Sequence, residues 1–166
     1  MAETKSIEDI PHLLRREVEA RLLKNLLPAL ENAFGKEEIR RVLGEAIAQC
    51  AMQEGLACAE RFGGNSLEKL TNVIDRWREG NALEITVLQQ NSRHLAFNVT
   101  RCAYAELYEH LGMRDLGTTL SCERDFAFIE GFNAGIRLTR EHTLMEGHCC
   151  CDFRYDVEDP ENRQEP

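Results

Sequence analysis

The hydrophobic spacing of this chain first changes period near residue 80, and that change limits the folds open to it. Upstream, apolar residues recur at steps of three and four, as one face of a helix requires. Downstream, residues 83–88 and 95–99 alternate in the manner of strands. A stripe with a period near 3.6 does not lie on a pleated sheet, so the two halves need different secondary structure.

In the first half, Leu13, Leu14, Val18, Leu22, Leu23, Leu26 and Leu27 predict a helix ending near Phe34 and stopped by Gly35. Ser6 with Asp9 is its capping signal, and Pro11 falls inside its first turns. A second helix starts near Lys36. Its stripe of Ile39, Val42, Leu43, Ala46, Ile47 and Cys50 is expected to face the core, and Gly63-Gly64 ends it after Phe62. A third covers residues 66–78, with Asn65 and Glu68 as a capping-box-like pair.

In the second half, the polar link 89–93 joins the first two strands as a hairpin. Residues 101–111 and 120–132 read as helices, the latter broken by Gly131 and Asn133. Residues 136–140 and 149–157 alternate again. The expected class is α+β: N-terminal amphipathic helices, then a small antiparallel sheet of two hairpin-like strand pairs with intervening helices. Residues 1–157 are read as one domain and 158–166 as an acidic flexible tail.

Charge and cysteine usage remove some function classes. A net charge of -9 and a pI near 5.1, with no basic stripe, oppose nucleic-acid binding. No apolar run approaches the ~20 residues of a membrane span. The N-terminus lacks a basic segment followed by an apolar one, so a cytoplasmic protein with seven reduced cysteines is expected.

The thiols are the chemical candidates. Cys122 and Asp125 lie three apart on one helix, hence on one face, and Glu130 returns nearly to it. A thiol beside carboxylates suits metal ligation, a nucleophile with an acid/base partner, or a small core residue. Cys151, Phe153 and Tyr155 share one strand face, and Cys150, Asp152 and Arg154 take the other. Cys151 is open between core filling and reactivity. Cys50 is expected in the core, and Cys102 opens a helix whose dipole can lower a thiol pKa. His148-Cys149-Cys150 precede Cys151, but adjacent strand residues are poor joint ligands. There is no CxxC or HExxH, and a zinc site from His148, Cys122 and Cys151 is unspecific. No resident metal or cofactor is expected. Arg101, Arg114, Arg124, Arg137, Arg140 and Arg154 could gather as a carboxylate pocket or scatter over the surface.

Several segments, in order, resemble the L-2-amino-thiazoline-4-carboxylic acid hydrolase family. They are Asn98-Val99-Thr100-Arg101-Cys102-Ala103-Tyr104-Ala105-Glu106, Leu120-Ser121-Cys122-Glu123-Arg124-Asp125, Ile129-Glu130-Gly131-Phe132-Asn133, Ile136-Arg137-Leu138-Thr139-Arg140, Met145-Glu146-Gly147 and Cys151-Asp152-Phe153-Arg154-Tyr155. Arg15-Arg16-Glu17 and residues 63–68 match more loosely. The resemblance implies opening of a cyclic isothiourea by water to an N-carbamoyl product, a step in bacterial cysteine formation. It implies a cysteine-dependent hydrolase of a cyclic carbon–nitrogen (amidine) bond, with Cys122, Cys151 and Asp125 catalytic and a small carboxylate substrate. Arg101 or Arg154 would anchor the carboxylate and Glu130 or Glu146 the amidine, with Asn133 and Asp152 completing the binding set. His148, Cys149 and Cys150 fall outside the essential set. Residues 147–155 also resemble the end of 4-vinyl-reductase type ligand-binding domains, which implies a non-catalytic binding or sensor module as the alternative. A homo-oligomer, with the N-terminal helices packing between subunits, is left open.

Overall fold

A computed structural model describes residues 10–158 of the chain. The Ser6–Asp9 capping signal and tail residues 159–166 lie outside the described residues. The first three helices are α1 (His12–Phe34), α2 (Lys36–Arg61) and α3 (Leu67–Arg78). Strands β1 (Leu83–Gln90) and β2 (His94–Cys102) follow, then helix α4 (Ala103–His110) and the short helix α5 (Arg114–Gly117). A wide turn at Thr118–Cys122 leads into α6 (Arg124–Phe132), and β3 (Ile136–Thr139) and β4 (Cys151–Val157) complete the chain. The class is α+β. No described helix is long and apolar enough to cross a membrane.

The sheet is antiparallel throughout, in the order β1-β2-β4-β3, so the two strand pairs join through β2 and β4. Register places Phe97 opposite Phe153 and Val99 opposite Cys151. Leu95, Phe97 and Val99 therefore share the inner face with Cys151, Phe153 and Tyr155, and all six are buried. Phe97 stacks on Phe153 with centroids 5.0 Å apart. This face packs against Phe128, Ile129 and Phe132 of α6 and Leu70, Val73 and Ile74 of α3. A second core forms around Ala20, Leu27, Tyr108, Leu116 and Met145.

Several sequence expectations shift in place. The capping residue of α3 is Ser66, whose Oγ accepts from the Lys69 N–H at 3.3 Å, rather than Asn65. The run at 120–132 is not one regular helix, because the Glu123 N–H donates to Thr118 O at 2.8 Å and widens the turn. The strand expected from residue 149 begins at Cys151. Cys50 is exposed rather than in the core: α2 buries Ala51, Gly55 and Cys58, a face rotated past the expected stripe. Likewise α1 packs through Arg16, Ala20 and Leu27, which leaves Leu14, Val18, Leu22 and Leu26 exposed.

Gly131 lies within α6 instead of breaking it, because it lets two helices touch. A Cβ on Gly131 would stand 2.0 Å from Met52 O, and one on Gly55 would stand 2.2 Å from Phe128 O. The backbones of α2 and α6 meet where neither has a side chain. Gly44, also in α2, would place its Cβ in ordinary contact 3.4 Å from Thr119. Thermal unfolding should therefore separate three alanine variants. Gly55→Ala and Gly131→Ala each lose about 2 kcal/mol or more through overpacking. Gly44→Ala gains about 0.5–1 kcal/mol by restricting the unfolded chain.

Candidate functional site

Two cavities adjoin where the two cores meet. The smaller, about 90 Å³, is lined by Cys102, Cys122, Asp125, Arg140 and Cys151, with Trp77, Phe128 and Phe153 among its apolar walls. The larger, about 540 Å³, opens between α1, α2 and α3 and is lined by Arg15, Arg16, Arg61, Arg76 and Arg124, with Glu19, Glu54 and Glu79. His12, Arg16, Glu54, Trp77 and Arg124 border both.

Local geometry explains the convergence of thiols. Cys122 ends the wide turn and Asp125 opens α6 one helical step later, so both face the sheet. Cys151 is the first residue of β4 on its inner face. Arg140, just past β3, ion-pairs with Asp125 and donates to Cys122 O at 3.0 Å. Its guanidinium lies 4.9 Å from the Phe126 ring centroid and 5.1 Å from that of Phe153. Arg140 Nε is buried without a hydrogen-bond partner among the described residues.

The thiols are held protonated. Burial raises Cys122 well above the ordinary thiol range, and the Asp125 charge adds to the effect. Burial also raises Cys151, to about 11, although its Sγ accepts from the Leu144 N–H at 3.2 Å. Cys102 is raised by burial as well. Burial pushes the Asp125 carboxyl upward, and Arg140 offsets part of that.

The larger cavity carries a buried ion cluster. Glu54 accepts from Arg15 at 2.8 Å, Arg16 at 2.9 Å and Arg124 at 2.9 Å. Burial alone would raise its pKa, but Arg16, Arg124 and their neighbours hold it at about 2. Arg124 is depressed by burial and by Arg16, as expected of crowded cations. His12 is held neutral, at about 3, by burial and then by Arg16. Arg16 can only donate, at 3.2 Å, so His12 Nε2 accepts. His12 Nδ1–H then donates to the Tyr104 hydroxyl at 2.9 Å, which donates to Trp77 O at 3.1 Å.

The residues expected from sequence divide cleanly by position. Cys122, Cys151 and Asp125 come together in the smaller cavity. The six expected binding residues line neither cavity. Arg101 donates to Asn81 O and Glu106, and Arg154 donates to Phe97 O, Phe153 O and Asn98. Asn133 bridges Asn65 O and the Gly135 N–H, while Glu146 accepts from Thr143. Asp152 accepts from the Glu141 and His142 N–H groups, and Glu130 is exposed. The three residues of the unspecific zinc set do not meet, because His148 is exposed on the surface. Of the late arginines, only Arg124 and Arg140 reach the cavities. Sequence reasoning passed over His12, Arg16 and Glu54. The available signal was Arg16, four residues before Ala20 and on the same helical face.

Acid should expose the buried histidine as loss of stability. Folded His12 titrates near 3 against an ordinary 6.5, so the unfolded chain binds the extra proton between those values. The contribution is intact above pH 6.5 and is lost as pH falls toward 3. The Glu54 loss has the same sign but begins only below its ordinary 4.5. Urea unfolding between pH 6.5 and 4.5 should show stability falling with pH in the wild type and a flatter slope in His12→Asn. Equal slopes would show that His12 is not the source.

Comparison with known proteins adds two findings, and no curated protein matches. The chain superposes on the crystal structure of the phenol-responsive sensory domain of the transcription activator PoxR with phenol. The TM-score is 0.51 at 10% identity, over 86% of this chain and 74% of that one, a likeness of fold alone. The family described as L-2-amino-thiazoline-4-carboxylic acid hydrolase matches residues 15–155. That span holds strands β1 to β3, most of β4 and all the cavity cysteines, and on it the chain belongs to the L-2-amino-thiazoline-4-carboxylic acid hydrolase family.

Proposed function

We propose that this protein is a hydrolase that opens a small cyclic isothiourea, of the 2-amino-thiazoline-4-carboxylate class, to an N-carbamoyl thiol. The observation that carries the reading is the meeting of Cys122, Asp125 and Cys151 in one cavity beside an arginine-rich one. Such a substrate has a carboxylate at one end and an amidine at the other. Arg16 and Arg124 suit the carboxylate, since guanidinium binds it with two parallel hydrogen bonds. Asp125 suits the amidine, with Arg140 as the group that orients it.

The chemistry balances as follows. A thiol proton passes to the amidine nitrogen, making a thiolate and an amidinium together. The sulfur of Cys122 or Cys151 adds to ring C2. The ring C2–S bond then breaks, and the departing sulfur takes the proton from the protonated nitrogen and leaves as the product thiol, with the carbon held as an isothiourea on the enzyme sulfur. Water adds to the same carbon, and the enzyme thiol departs with its proton restored. The net change is one water gained. An N-carbamoyl product therefore requires cleavage of the ring carbon–sulfur bond, with the carbon–nitrogen double bond as the point of attack.

The second reading is a binding module without turnover. The apolar walls Trp77, Phe128 and Phe153 favour it, and so does the sensory domain that shares the fold.

Mass spectrometry of the protein incubated with L-2-amino-thiazoline-4-carboxylate distinguishes the two. A product one water heavier is expected, and Cys122→Ala or Cys151→Ala should lower kcat by ~10²-fold or more at the nucleophile. Turnover untouched in both variants would remove cysteine from the mechanism, whereas saturable binding without product would favour the module. Arg124→Lys should raise KM about tenfold with kcat nearly unchanged, because it removes a bidentate contact made before and during reaction.

A further inference from the structure

The hairpin between β3 and β4 gathers a second set of donors, outside the cavities. Its backbone is closely tied. The His148 N–H donates to Thr143 O at 3.1 Å, and the Gly147 N–H donates to Leu144 O at 3.2 Å. Gly147, at φ +93°, turns the chain back where a side chain would be strained. Arg114 donates to Met145 O at 2.9 Å and to Leu144 O at 3.0 Å, fastening the hairpin to α5. Asp152 Oδ1 accepts from the N–H groups of Glu141 at 3.1 Å and His142 at 2.7 Å.

That framework presents nitrogen and oxygen donors at one point. One ligand atom each from Glu141, His142 and Asp152 lie within 4.8 Å of one another. Asp152 Oδ2 makes only a long 3.4 Å contact to His142 Nδ1, so it keeps acceptor capacity. The His148 ring stands edge-on to His142 with centroids 4.5 Å apart. Glu141, His142 and His148 are all exposed, so entry is open. One imidazole and two carboxylates supply three ligands and leave the fourth position of a tetrahedral zinc to water. The carboxylate that also caps the hairpin is the kind of ligand that arrives already oriented.

We propose that this hairpin binds one divalent transition-metal ion of the zinc class through Glu141, His142 and Asp152, with His148 packed against His142 outside the ligand set. The site is separate from the cavity thiols, although Asp152 directly follows Cys151. Neighbouring Cys149 and Cys150 interact with each other and are not part of the set.

The test is zinc chloride titrated into chelator-treated, full-length protein, followed by calorimetry and by metal counting after desalting. About one zinc per chain is expected, and zinc should raise the unfolding temperature. Glu141→Gln and His142→Ala should each weaken binding about tenfold or more and reduce the thermal shift. Both side chains are exposed, so circular dichroism of the metal-free variants should match the wild type. Cys149→Ser with Cys150→Ser should bind zinc as the wild type does. Wild-type affinity in both the Glu141 and the His142 variant, or loss of binding only in the cysteine double variant, would overturn the proposal. So would an absence of zinc binding by the wild type. Turnover is not read, so failure here leaves the hydrolase reading untouched.

Discussion

The carboxylate of Glu54 joins α2 to Arg15 and Arg16 of α1 and to Arg124 at the start of α6. Taking these ions out of water is costly, and a cluster of this kind is poor at adding stability in comparison with an apolar contact. What it supplies is placement. Three cations converge on one anion, and Glu19 on Arg16 adds a second. With Arg61, Arg76 and Glu79 also on the cavity wall, five arginines face three glutamates there, within a chain whose net charge is -9. A small anion entering there meets a field opposite to that of the protein as a whole.

The cluster depends in turn on how closely α2 and α6 approach. Gly55 follows Glu54 directly, and its missing side chain admits the backbone of Phe128, one turn beyond Arg124. Gly131 admits Met52 from the other side. If either helix stood off by the width of a methyl group, Arg124 would leave hydrogen-bond range of Glu54. Asp125 and Cys122 would move with it, because they belong to the same continuous stretch of backbone. A packing detail without polar atoms thereby sets the geometry of the charged site.

Some of this was legible in the residues alone, for stated physical reasons. Strand alternation placed Cys151, Phe153 and Tyr155 on one buried face, since the pleat leaves no other arrangement. The three-residue spacing of Cys122 and Asp125 put them on one face even though the turn that leads into them, Thr118–Cys122, is wide. Pairing of β2 with β4 was not legible, because antiparallel strands far apart in sequence leave no local mark. The burial of α1 and α2 was misjudged where leucine is abundant: Leu14, Val18, Leu22 and Leu26 continue the helical spacing yet face outward. The charged residues of the larger cavity were hidden by the usual rule that Arg and Glu are solvated. Arg16, 6% exposed, breaks that rule because Glu54 and Glu19 compensate it.

The high thiol pKa values look adverse to the proposed nucleophilic catalysis, but the magnitudes are compatible with it. A thiol near 11 is ionised at neutral pH only about once in 10⁴ molecules. A more basic thiolate is also a better nucleophile, and a Brønsted slope of ~0.4–0.5 returns nearly half of that loss on a logarithmic scale. The remaining deficit is about a hundredfold, or roughly 3 kcal/mol. A single cation ~4 Å from the sulfur, at an effective dielectric constant near 20, supplies about 4 kcal/mol. A protonated amidine is such a cation, and Asp125 stands in the same cavity to hold it. Thiols raised in this way by burial are shielded from oxidants that need thiolate. On the proposed mechanism the site would draw its reactivity from the charge of the molecule it opens, and a neutral ring of the same shape would fill the cavity without activating either cysteine.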